Sequence, residues 1–160
     1  MPLSPGPVWA ARFEKSTDVV SNASWTNSTT TATKVTGCAF TPAANATYIV
    51  EIFGTFTAAA TTTGIQIRIE TGTASGGGIL TVRGTSVTAT TEAIGESPSS
   101  SYLTAGGSSA GTGETPFFAR ALLYTTASPT EISLYAASEV GTSQVAIAAG
   151  HAVLTYRRVA

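Results

Sequence analysis

The chain has 160 residues, 42% of them apolar and 11% charged, with a net charge of −1. That length suits one domain with a sizeable core, and so few charges leave no basic face for nucleic acid or an anionic membrane. No apolar run approaches the roughly 18 residues of a membrane-spanning helix.

Polarity comes instead from hydroxyls, with 29 Thr and 17 Ser. Threonine is β-branched and suits a pleated, half-buried surface, so an all-β fold is expected. Residues 1–7 contain Pro2, Pro5 and Pro7 and read as an extended N-terminal arm, because proline cannot donate to a ladder. The arm has neither the basic nor the apolar region of a secretion signal. One domain is expected over residues 8–160, with a strand starting near Val8 that sets Trp9, Ala11 and Phe13 on one side.

Short strands follow over residues 19–25 and 33–40, with Asn27 and Ser28 turning between them. The clearest alternation comes next. Tyr48, Val50, Ile52, Gly54 and Phe56 share one face, and Ile65, Ile67 and Ile69 alternate with Gln66, Arg68 and Glu70. This period of two excludes a helix and predicts a hairpin with one wet, polar side. A glycine loop is expected at 76–78, then a strand over 79–91. Residues 94–115 read as a long Ser/Gly-rich loop that is functional, mobile, or holds a short strand around Tyr102 and Leu103. Four further strands are expected over 117–125, 130–137, 143–148 and 151–158, the last two joined by Ala149 and Gly150. About ten short strands without a helix or a fixed repeat argue for a β-sandwich or barrel.

Chemistry is sparse. Cys38 is the single cysteine, set among apolar neighbours, and reads as a buried, inert thiol. His151 has no partner histidine, and Asp18 is the one aspartate, so neither a zinc nor a calcium site is expected. Serines abound without a nucleophile elbow, and a Ser-His-Asp set would have to use His151 and Asp18. Paired acids could come only from residues such as Glu51, Glu70, Glu92 and Glu96, which read as polar-face or loop residues. Neither glycine-rich stretch is followed by Lys and a helix, so no phosphate loop is expected. A non-enzymatic protein without cofactor or metal is therefore expected. Trp9 and Trp25 read as core or interface anchors, and Arg157 and Arg158 as a solvated strand end or partners of a neighbouring carboxylate.

The order of elements resembles the jelly roll of the C1q and tumour-necrosis-factor type. The stretches "NASWTNSTTTATKVTGCAFTPAANATYIVEIFGTF", "AAATTTGIQIRIE" and "SEVGTSQVAIAAGHAVLTYRRV" look like small virion proteins of tailed bacteriophages. The shared pattern is a Thr-rich first strand, "FTPAANATY" opening a long strand, and a final "AG…L-x-YR". The resemblance implies a jelly-roll β-sandwich, the first and last strands adjacent, and a homotrimer. It also implies a virion structural protein on the particle exterior, assembled in the host bacterial cytoplasm, serving as capsid decoration, cement or head fibre. Partners would be copies of itself and the major capsid protein or another virion component, with no nucleic acid and no membrane. Docking would fall to Pro5, Pro7, Trp9, Tyr156, Arg157 and Arg158. Alternatives are a tail-fibre or tail-tip adhesion module using the exposed loop at Ser100, Tyr102 and Leu103, and a jelly-roll lectin. The lectin would stack Tyr102, Trp25 or Tyr135 on a host surface glycan.

Overall fold

The computed structural model describes residues 15–82, 103–105 and 113–159. The described residues form eleven strands and no helix. They are β1 (Thr17–Val20), β2 (Trp25–Asn27), β3 (Thr33–Phe40), β4 (Thr47–Ala58), β5 (Ile65–Glu70) and β6 (Ser75–Val82). Then come β7 (Leu103–Ala105), β8 (Thr115–Tyr124), β9 (Ile132–Ser138), β10 (Val145–Ile147) and β11 (Ala152–Arg158).

Two antiparallel sheets result. The first runs β1-β11-β4-β8-β6, with β10 and then β2 continuing the β11 side of β4; the second runs β3-β9-β5-β7. From β2 to β10 every connection passes from one sheet to the other, which is the winding of a jelly roll. The first and last strands are neighbours, with Thr17 opposite Tyr156 and Val20 opposite Val153.

The expected hairpin is corrected by this topology. β4 pairs with β8, β10 and β11, whereas β5 pairs with β7 and β9 in the other sheet. Alternation reports which face of a strand is buried and says nothing of its partner. Residues 59–64 cross the roughly 10 Å between packed sheets. The crossing is fastened by Thr63, whose hydroxyl meets that of Ser143 at 2.5 Å, and by the Glu139 amide donating to the Gly64 carbonyl at 3.0 Å.

Two further expectations shift. The single strand over 19–25 is two strands, because the chain is drawn aside at Ser21. The glycine run at 76–78 is part of β6 and not a loop: a Cβ on Gly76 would lie 2.0 Å from the Leu122 carbonyl oxygen, so β6 can approach β8 only as glycine there. Leu103 opens β7, which satisfies the expected short strand inside the long segment.

The core lies between the sheets. Val50, Ile52 and Phe56 from β4 meet Ile65, Ile67, Leu134 and Leu154, all with 1% exposure or less. Each such side chain contributes about 1.5–3 kcal/mol on burial. Trp25 is also buried, its indole N–H donating to Thr33 Oγ1 at 3.0 Å.

Candidate interaction surface

The outer face of the first sheet is where the strand alternation departs from its usual chemistry. In β4 and β8 the inward positions are apolar, as expected, yet many outward ones are apolar as well. Residues in register across antiparallel strands share a face. One row across the sheet is therefore Val20, Val153, Phe53 and Phe118. The next row is Asp18, Thr155, Glu51 and Arg120, and the third runs from Arg157 through Ile49 to Leu122. Tyr124, opposite Thr47, closes the patch.

Phe53 is 58% exposed, Tyr124 50%, Val20 46%, Leu122 39% and Phe118 37%. Single exposed hydrophobics are ordinary, but a contiguous set on adjacent strands marks an interaction surface. The polar row between the apolar rows is loosely held. Arg120 Nε stands 3.4 Å from Glu51 Oε1 on exposed side chains, an ion pair worth little by itself. Asp18 Oδ1 accepts from the Thr155 hydroxyl at 2.7 Å.

A second polar group lies at the β10 end of the same sheet. Thr55 Oγ1 donates to Glu114 Oε2 at 3.0 Å and lies 3.1 Å from His151 Nδ1, which is 3.0 Å from Glu114 Oε1. They border an open cleft of about 150 Å³ that also takes in Ser24, Thr57 and Ala148. A histidine that activates a hydroxyl needs hydroxyl and carboxylate on different ring nitrogens. Here both meet Nδ1, so the arrangement ties the start of β8 to the β10–β11 turn and does not relay a proton.

The expected site residues scatter. Pro5, Pro7, Trp9, Ser100 and Tyr102 lie outside the described residues. Tyr156 faces inward, its ring stacked on Phe40 at 3.8 Å and 4°, with Tyr48 edge-on at 6.2 Å. Arg157 and Arg158 stand half-buried opposite Ile49 and Tyr48, and Arg157 joins the outer face. Tyr135 lies under the Arg68 guanidinium, 5.0 Å from its ring centre, while Trp25 is enclosed and offers no stacking plane. Asp18 and His151 have separate partners, and Glu51 and Glu70 belong to different sheets. Among the described residues no three His, Cys, Asp or Glu side chains gather as metal ligands.

Burial pushes the Cys38 thiol up to about 11, against a smaller opposite pull from a backbone hydrogen bond with Ser21. It is fully enclosed, as its neighbours in the sequence imply. The residues that sequence reading missed are Phe53, Phe118, Leu122 and Tyr124. The signal for the last three was "FFARALLY", a stretch apolar on both faces of one strand, and for Phe53 it was "YIVEIFGTF", where Ile49 and Phe53 sit on the face opposite Val50 and Ile52.

No protein-family model matches the chain, and no curated protein matches it. Among solved structures, weak likeness is found to infectious bursal disease virus. With the Gx strain the TM-score is 0.28 at 8% identity, covering 91% of this chain and 36% of that one. With the Gt strain it is 0.20 at 11% identity, covering 99% and 41%. The chain thus spans well under half the length of either viral chain, and overlap at this level does not establish a shared fold.

Proposed function

We propose that the chain is a non-enzymatic structural protein of a bacteriophage virion, carried on the particle exterior as a trimeric decoration, cement or head-fibre protein. The observation that carries this reading is the outward apolar face of the first sheet. Such a surface is costly to leave in water and supports a role in assembly. The polar group at His151 is exposed and closed on itself, which favours binding over catalysis.

In this reading the proline-rich arm and the adjoining face dock onto the capsid lattice, and interface burial stabilises the shell. The test is light scattering coupled to size exclusion, followed by cosedimentation with particles that lack the protein. A mass near three times 16.2 kDa with saturable binding to heads supports it. Binding to tails or host cells, with none to heads, replaces it with the adhesion reading. A truncated chain without residues 1–7 should lose binding to heads; full occupancy by that chain removes the arm from the mechanism.

A further inference from the structure

We infer that residues 8–14 of this chain lie back across one end of the outer face of its own first sheet, with Trp9 seated over Gly77 beside Leu122 and Tyr124. The inference goes beyond the assembly reading, and its test needs no particle.

The seat is a recess in the outward surface. One row runs Arg157, Ile49, Leu122 and Gly77, from β11 to β6. Gly77 is exposed, and a Cβ on it would meet nothing within 4 Å. Beside it, Leu122 is 39% and Tyr124 50% exposed. A floor without a side chain, flanked by an aliphatic and an aromatic group, fits a large flat ring.

The segment begins level with this row. Thr17 pairs with Tyr156, which sets Ser16 beside Arg157. From there to Gly77 are four strand spacings of about 4.8 Å, roughly 19 Å in all. The extended chain from Ser16 back to Trp9 reaches roughly 23 Å, so the span is covered with a few ångströms left for rising over β11.

The side chains match along the way. Phe13, about 10 Å from Ser16, falls two spacings in, over half-buried Ile49 on β4. Ala11 falls near Leu122, and Trp9 at Gly77. The bulky residues of the segment thus meet the low positions of the row, and its small residue meets a raised one. Alternation turns Arg12 and Glu14 to the water side. The other apolar row, Val20, Val153, Phe53 and Phe118, lies beyond the polar row of Asp18 and Arg120 and stays open to a partner.

The experiment is acrylamide quenching of tryptophan fluorescence on the full chain, with Trp9→Phe isolating the Trp9 signal from that of enclosed Trp25. Trp9 should emit to the blue of a free indole and resist the quencher at every protein concentration. Gly77→Leu places its side chain in open space, so circular dichroism and unfolding midpoint should stay those of the parent. Its Trp9 emission should shift to the red and lose protection. A chain starting at Lys15 should take up more anilinonaphthalene sulfonate than the parent, because Leu122 and Tyr124 are then uncovered. Trp9 quenched as freely in the folded parent as in urea, or protected equally in Gly77→Leu, overturns the inference. Protection that vanishes on dilution also overturns it, since the occupant is then the segment of a second copy. A protected Trp9 in a chain that binds no particle would remove the virion reading and leave this inference standing.

Discussion

At Gly54 the missing side chain makes room for the Phe117 ring. A Cβ there would fall 2.4 Å from Phe117 Cζ and 2.7 Å from the His151 carbonyl oxygen. Gly54→Ala should therefore destabilise the fold by about 1–3 kcal/mol, read from the urea midpoint, because the interior is already filled. Cys38 gives a prediction in pH. Its thiol is raised from 9.0 to about 11 in the folded chain. Below about pH 9 both states keep the proton; above that the unfolded chain loses it first, so this contribution to stability is lost as pH rises towards 11. The gap between the denaturation midpoints of the parent and Cys38→Ala should be constant below about pH 9 and change only in that alkaline window. A thiol reagent at pH 8 should leave the native chain unlabelled over the time that labels it fully in urea.

Among the elements, the junction of β1, β10 and β11 depends on Ser21, which is 2% exposed. Its hydroxyl accepts from the amides of Gly150 at 3.1 Å and Ala152 at 3.2 Å, and its own amide donates to the Ala152 carbonyl at 2.8 Å. Ser21→Ala strips an acceptor from the buried Ala152 amide, while the exposed Gly150 amide keeps the Ser21 carbonyl at 2.8 Å; it should cost about 1–3 kcal/mol, with the loss seen first as faster amide exchange at Ala152. Nothing in "VVSNASW" announced this clasp, since its partners come from the far end of the chain. The same limit explains the hairpin. The alternation of β4 and β5 was plain and their buried faces were read correctly, but pairing is decided by residues on β8, β9 and β11 that no local pattern names. β3, by contrast, was legible to its ends because turn residues bound it, while the register shift between Lys34 and Ala39, which moves its buried positions from Val35 to Cys38 and Phe40, was not.

For the whole molecule, the all-β sandwich was legible from threonine content, period-two runs and turn spacing. The interaction surface was not, because an outward phenylalanine and an inward one look alike until the sheet is assembled. Phe53→Ser should leave the unfolding midpoint within about 0.5 kcal/mol of the parent while changing solubility and mass in solution. Nearly all strand pairs are remote in sequence, so folding should be slow for the chain's size. Stopped-flow refolding is expected on the millisecond-to-second scale.

The β1–β11 pairing also has a mechanical consequence. Thr17 lies opposite Tyr156, so the start of β1 and the end of β11 lie at the same pole of the sheet. Anything fastened at both points would load this pair by peeling, one hydrogen bond after another, at low force. β4, laddered on both edges along most of its length, would be strained only by sliding past its neighbours, when all its bonds must yield together. Under tension the domain should therefore shed β1 early and keep the rest, behaving as a compliant tether on a rigid body.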